Sequence, residues 1–162
     1  MQTQQSTALR WILVGVAAAG LVVDAIVHLD LASAFAQNKT SVLSEPEIFR
    51  AEAVVSIVAA LALIFRLRRY TAAFALLVAG SAVIAAIVYR YADIGSIGPL
   101  PNMYDPYWAP AGKVISVIAE AAAAVTSVCL LAQLRTGTAG STGSVAGQGR
   151  HVGRLGGRPR TN

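Results

Sequence analysis

The apolar residues of this chain fall into four long runs, separated by short polar or proline-rich segments. A helix must contain about 20 residues, at about 1.5 Å each, to cross roughly 30 Å of hydrocarbon. Each run meets that length, and the runs cover about 9–31, 46–65, 70–89 and 111–134. The pattern predicts an all-α, polytopic membrane protein. Its core is a four-transmembrane-helix bundle over 9–134, preceded by a short N-terminal segment, 1–8.

The start of the second run carries a helix-capping pattern. Ser44 is followed three residues later by Glu47, and Pro46 falls in the first turn. Ser and Glu at this spacing can bond to each other's backbone N–H groups, and proline suits a first turn, where its missing N–H is not needed. We therefore expect a helix that begins immediately after Ser44.

The composition agrees with a chain surrounded mainly by lipid. Hydrophobic residues make up 56% of the sequence and charged residues 13%, against about 25% charged in ordinary soluble domains. The net charge of +5 does not indicate a nucleic-acid partner, because the basic residues lie at helix ends and in the C-terminal segment. Membrane lipid is the partner that this pattern predicts.

The positions of the basic residues predict the orientation in the membrane. Arg66, Arg68 and Arg69 crowd one very short loop, which should be cytoplasmic. An even number of spans then places both termini in the cytoplasm. This orientation puts nine basic residues inside and leaves four outside, namely Lys39, Arg50, Arg90 and Lys113. We expect a multi-pass protein of a bacterial plasma membrane with cytoplasmic N- and C-termini.

Two segments need separate interpretation: the end of the first run, which resembles a signal-peptide cleavage region, and the C-terminal segment. Small residues at 32–34 and 34–36 resemble signal-peptide cleavage sites, but Asp24, His28 and Asp30 separate them from the apolar region, which ends near Val23. We therefore expect the first run to remain as a helix.

Residues 135–162 are rich in Gly, Ser, Thr and Arg, without apolar periodicity. This composition predicts a disordered basic tail, whose arginines can contact anionic lipid.

The lengths of the runs force ionisable side chains into the membrane. Only 13 uncharged residues separate Glu52 from Arg66, and 13 residues run from Trp11 to Val23, so Glu52 and Asp24 must lie inside. Glu120 falls near the middle of the fourth run. All three carboxyl groups lie on the order of 9–14 Å below the outer ends of their helices.

The spacing also places these polar residues on defined helix faces. Asp24 and His28 are four residues apart and share a face, which Gly20 continues and where it would let another helix approach closely. Glu52 and Ser56 share a face by the same spacing. A third polar stripe, at about 100° per residue, contains Lys113, Ser116, Glu120 and Ser127. Three helices therefore offer polar stripes to a common interior.

We predict a ligand or proton site formed by Asp24, His28, Glu52 and Glu120, with Arg90 just above them. A charge in mid-membrane costs about 2.5–3.5 kcal/mol on insertion scales, so several at one level are expected to pair or share protons. Some carboxyl groups can be protonated there, because desolvation disfavours the charged form. The alternative is a purely structural network that holds the helices together, or a structural partner in a larger membrane complex.

The loop between the third and fourth runs is stiff and aromatic. Prolines recur at 99, 101, 106 and 110, and they restrict the backbone. The aromatic residues near this loop are Tyr91, Tyr104, Tyr107 and Trp108. They form either an interfacial belt, as aromatic residues do at this depth, or a semi-rigid lid over a cavity that opens outward.

Three chemistries suit the polar site. Asp24, His28, Glu52 and Glu120 would offer one nitrogen and three oxygens to a divalent metal such as Zn, Mn or Fe. A proton-coupled carrier is the second, and with only four helices it would require a homo-oligomer. A quinone or lipid pocket under the aromatic loop, with His28 or Glu52 hydrogen-bonding a head group, is the third. Handling a quinone or a metal would make the chain a membrane oxidoreductase subunit.

Other functions are disfavoured. Bis-histidine haem is excluded because His28 is the only histidine within the runs. The single cysteine, Cys129, excludes an internal disulfide and is expected to be a buried packing residue. No nucleotide-binding, zinc-protease or serine-hydrolase motif is present. We therefore expect a small binding or accessory protein rather than an enzyme.

The sequence also resembles uncharacterised four-helix integral membrane proteins of actinobacteria, which have no assigned activity. The stretches that carry the resemblance are GLVVDAIVHLDL at 20–31, FRAE at 49–52, YRY at 89–91 and GPLPNMYDP at 98–106. The resemblance covers about residues 9–134 and excludes the tail. It implies the four-helix architecture and leaves the function open.

Overall fold

The chain folds into four helices. The computed structural model describes the backbone of residues 2–142 and the side chains of residues 7–135. The helices are α1 (Gln2–Ala34), α2 (Glu45–Phe65), α3 (Arg69–Tyr91) and α4 (Gly112–Thr142), and the described residues contain no strand. All four contain segments long and apolar enough to cross a membrane: Thr7–Ala34, Glu45–Phe65, Arg69–Tyr91 and Gly112–Arg135. The predicted all-α, four-helix membrane fold is confirmed.

The helix bounds differ from the predicted runs mainly at the N-terminal end of α1, which begins at Gln2 instead of about Leu9, and at the C-terminal end of α4. Helix α1 continues through Asp24, His28 and Asp30 to Ala34, because a polar residue such as Asp24, only 1% exposed, turns toward the interior instead of ending the helix. Helix α4 continues past Leu134 to Thr142. The predicted disordered tail, 135–162, lies mostly outside the described residues and stays a prediction.

The helices form a ring in which neighbours in sequence pack side by side. Helix α1 packs against α2 and α4, and α3 packs against α4 and, less extensively, α2. The buried residues in the centre are mostly alanines, with three leucines and two valines among them; the fully buried ones include Ala17, Leu21, Ala59, Leu63, Ala72, Ala75, Ala123 and Leu130. Small residues let membrane helices approach closely, so that van der Waals packing holds the bundle together.

Gly20 marks a close approach between α1 and α4. A Cβ atom added at this position would lie 2.6 Å from the backbone oxygen of Ala119 and 3.1 Å from Cβ of Ala123. Any side chain at Gly20 would therefore push the two helices apart. This contact confirms the expectation that Gly20 admits a neighbouring helix.

Large apolar side chains cover the outside of every helix. Ile12, Val54, Leu77 and Ile118, one on each helix, are 61%, 62%, 68% and 64% exposed. Patches of this kind are rare on soluble monomers and suit a surface covered by lipid. Cys129 is also exposed on α4. The prediction that Cys129 is buried in the packing is therefore wrong, because its side chain turns away from the bundle centre.

The two ends of the bundle differ in character. The arginine end contains the α2–α3 connection with Arg66, Arg68 and Arg69, where the Thr71 hydroxyl donates to the backbone oxygen of Arg66 at 2.8 Å. The polar end contains the loops 35–44 and 92–111. There Ser44 is the N-cap of α2, as predicted, and Glu47 Oε2 accepts hydrogen bonds from the Ser44 N–H and hydroxyl, each 2.8 Å long.

Candidate functional site

Asp24 lies at the centre of a hydrogen-bond network that joins three helices. Its Oδ2 accepts a hydrogen bond from the Ser56 hydroxyl of α2 at 2.8 Å, and its Oδ1 accepts one from the Ser116 hydroxyl of α4 at 2.7 Å. His28 Nδ1, one turn further along α1, lies 2.7 Å from Asp24 Oδ1. These contacts fix the His28 ring and satisfy a carboxyl group that is 1% exposed.

Glu120 extends this network by one more carboxyl group. The Ser116 hydroxyl lies 2.8 Å from Glu120 Oε1 as well as 2.7 Å from Asp24 Oδ1. A serine hydroxyl has one proton to donate, so it cannot serve two ionised carboxylates at once. The Asp24–Ser116–Glu120 chain is complete only when one of the two carboxyl groups holds a proton. Glu120 is 2% exposed, and its Oε2 has no donor among the described residues.

A cavity of about 190 Å³ lies beside this network at the polar end, and all four helices contribute to its wall. The predicted site residues that line it are His28, Glu52, Glu120 and Arg90. Asp24 lies behind the wall and is linked to the cavity through His28 and Glu120. The cavity therefore combines four of the five predicted site residues, with the fifth directly behind them.

The predicted metal ligands are only partly brought together. One potential ligand atom from each of Asp24, His28 and Glu120 lies within 4.8 Å of the others, but Glu52 does not belong to this group. His28 Nδ1 already contacts Asp24 Oδ1, and the Asp24 carboxyl group also accepts hydrogen bonds from the two serine hydroxyls. A metal ion bound here would have to replace those hydrogen bonds.

The loop 92–111 forms a roof over the cavity and is tied to the loop 35–44. The Asn38 side chain donates to the backbone oxygen of Asn102 at 2.7 Å, and the Thr40 hydroxyl donates to that of Pro99 at 2.8 Å. The Asp105 N–H donates to the backbone oxygen of Tyr89 at 3.0 Å, which fixes the roof to α3.

The four predicted lid aromatics separate into two pairs. Tyr107 and Trp108 line the cavity, whereas Tyr91 and Tyr104 do not contribute to its wall. Tyr91 is 68% exposed and contacts the Arg90 guanidinium, whose central carbon lies 5.0 Å from the ring centroid. The same carbon lies 5.4 Å from the Trp108 ring. Arg90 thus joins one cavity aromatic to one aromatic outside the cavity.

The sequence did not single out Glu45 and Phe49 as wall residues. Glu45 is 4% exposed, and its Oε2 accepts a hydrogen bond from the Asn38 amide. Phe49 packs edge-on against His28, with ring centroids 5.2 Å apart. A signal was present, since Glu45, Phe49, Glu52 and Ser56 follow one helix face at spacings of three or four. Asp105, another wall residue, comes from an irregular loop, where no periodicity can reveal a facing.

Comparison with known proteins does not name this site. No protein-family model matches the chain, no curated protein matches it, and no solved structure matches it. The resemblance to actinobacterial four-helix proteins stays a prediction. The function must therefore be inferred from the geometry of the cavity and its wall.

Proposed function

We propose that this protein is a small membrane binding or accessory protein that holds a cation, a proton or a small ligand in the cavity at the polar end. The observation that carries the proposal is a pair of buried carboxyl oxygens, Glu52 Oε1 and Glu120 Oε2, without hydrogen-bond partners in the described part of the chain. An unpaired buried polar atom costs about 1–3 kcal/mol. A bound molecule that donates to these oxygens would offset that cost.

We further propose where the protein lies in the cell. The chain would lie in a bacterial plasma membrane with both termini in the cytoplasm and the polar end outward. Arg66, Arg68 and Arg69 support this orientation, because they crowd the opposite end of the bundle. The cavity would then receive its ligand from outside the cell or from the outer leaflet.

Ligand-free stability distinguishes a binding site from a structural network. Glu52→Leu should raise the free energy of unfolding by about 1 kcal/mol, since it replaces an unpaired buried oxygen with an apolar side chain. Ser56→Ala should lower it by about 0.6–1.7 kcal/mol, because it removes a buried donor to Asp24 between helices. Both values can be measured by SDS titration of the detergent-purified protein.

The two variants serve as each other's control, because both alter one face of α2. A binding site contains groups that are poorly satisfied until the ligand arrives, so the changes should have opposite signs. If Glu52→Leu lowers stability as much as Ser56→Ala does, the polar residues form a structural network and the proposal fails.

A second function, metal handling within an oxidoreductase, is favoured by the grouping of Asp24, His28 and Glu120 within 4.8 Å. One nitrogen and two oxygens suit Zn, Mn or Fe. For this function, elemental analysis of the purified protein should find nearly one metal ion per chain. The ion should be lost in a His28→Ala, Glu120→Gln double variant and kept in Asp30→Asn, which changes an exposed carboxylate. A parent protein without metal rules this function out.

A further inference from the structure

The wall of the cavity has an excess of acidic groups. Four carboxyl groups line it, from Glu45, Glu52, Asp105 and Glu120, against two permanent cations, Arg90 and Lys113. Lys113 forms an ion pair with Asp105, and Arg90 forms none with the described residues. Glu45, Glu52 and Glu120 therefore have no ion-pair partner among the described residues, and even with Glu120 protonated two carboxylates face the single unpaired cation, Arg90. In a setting of low dielectric constant, such an excess favours a positively charged occupant.

Aromatic rings supply the second component of the wall. Phe35, Phe49, Tyr89, Tyr107 and Trp108 line the cavity. Two of these rings already contact cations of the protein: Lys113 Nζ lies 4.9 Å from the Phe35 centroid, and the Arg90 carbon lies 5.4 Å from that of Trp108. Ring faces attract cations through their quadrupole, and aromatic walls are a recurrent means of binding organic ammonium groups.

The size of the cavity favours an organic ligand over a bare ion. At about 30 Å³ per water molecule, the cavity of about 190 Å³ corresponds to roughly six water molecules. A dehydrated metal ion would leave most of that space empty. An ion at the Asp24–His28–Glu120 group would also have to replace the serine hydrogen bonds to Asp24. A compact organic cation fills the space and leaves that network intact.

We propose that the cavity binds a small organic cation, an ammonium compound of about six or seven non-hydrogen atoms. Its charge lies between the Glu52 and Glu120 carboxyl groups, and its methyl or methylene groups contact the aromatic rings. This inference rests on the proposed function and specifies the class of ligand.

The test compares choline with its uncharged isostere, 3,3-dimethylbutan-1-ol. Both have a similar shape, so only the positive charge differs. Binding to the full-length, detergent-purified protein is measured by isothermal titration and by the shift in melting temperature. We expect choline to bind and to raise the melting temperature, and the alcohol to bind at least tenfold more weakly, because it lacks the positive charge that the ring faces and carboxylates attract.

Matched variants assign the binding to the cavity. Glu52→Gln should weaken choline binding about tenfold while the ligand-free protein stays folded. Asp30→Asn removes a carboxylate from the exposed side of the same bundle end and should leave binding unchanged. Equal weakening by both variants would indicate nonspecific surface attraction and would overturn the proposal.

Other outcomes distinguish a failure of the organic-cation proposal from a failure of the proposed binding function. If acetate or a short-chain quinone raises the melting temperature and choline does not, the cavity binds a ligand through Arg90 or His28; the organic-cation proposal then fails and the binding function stands. If none of these probes binds and Glu52→Leu also lowers stability, both proposals fail.

Discussion

At the scale of single residues, Asp24 determines how the polar interior is built. A charged group at this depth costs about 2.5–3.5 kcal/mol on insertion scales, and the protein offsets this cost with His28, Ser56 and Ser116. The interior facing of Asp24 and its shared face with His28 could be predicted from the sequence. Its serine partners could be placed on polar faces but not assigned to Asp24, because that pairing depends on the register between helices.

Asp24→Asn tests this role directly. The amide loses the charge that attracts His28 and presents a donor group to at least one serine hydroxyl. We expect the free energy of unfolding to fall by about 1–3 kcal/mol, taking about 0.6–1.7 kcal/mol for each buried contact between membrane helices. SDS titration of the purified protein measures this change.

The control for that variant is Asp30→Asn, on the same helix but exposed. It should change the free energy of unfolding by no more than about 0.5 kcal/mol, as surface substitutions usually do. Equal effects of the two variants would mean that the network around Asp24 contributes nothing specific to the fold.

At the scale of helices and loops, the lengths of the apolar runs were enough to predict the number of helices and their approximate positions. The ends of α1 and α4 were less well predicted, since α1 extends from Gln2 to Ala34 and α4 continues to Thr142, beyond the apolar runs. The loop 92–111 was offered as a lid, but the hydrogen bonds that tie it to the loop 35–44 could not be predicted. Asn38 and Thr40 donate to backbone oxygens of Asn102 and Pro99, and a backbone acceptor has no signature in residue type.

Gly20→Ala tests the close contact between α1 and α4. The new methyl group would lie 2.6 Å from the Ala119 backbone oxygen, so the helices must separate, and we expect a loss of about 1–3 kcal/mol in the free energy of unfolding. Gly15→Ala, on the same helix, meets nothing within 4 Å. It should be neutral or stabilise the helix by about 0.5–1 kcal/mol. Similar losses in both variants would mean that close packing at Gly20 is unimportant.

At the scale of the whole molecule, the bundle has an apolar outer surface, an arginine end and a polar end with a cavity. The outer surface explains why charge is so rare in the sequence, since lipid-facing positions on four helices leave little room for it. The cavity lies at the polar end because the carboxyl groups and aromatic rings gather there. The orientation of these two ends across the membrane is a separate prediction.

Cysteine labelling in intact cells tests that orientation. In a Cys129→Ala background, Lys39→Cys in the loop 35–44 should react with a membrane-impermeant maleimide added outside. Arg68→Cys in the α2–α3 connection should react only after the membrane is disrupted, because it would lie in the cytoplasm. The reverse pattern would show that the polar end faces the cytoplasm.

The network around Asp24 also has a consequence for biosynthesis. Ser56 lies in the second helix to be made and Ser116 in the last, 92 residues after Asp24. While α1 enters the bilayer, its carboxyl group has only His28 nearby. The network can therefore close only after α4 has been made. Until α4 is made, α1 must stay at the insertion machinery or beside α2 with the hydrogen bonds of Asp24 incomplete.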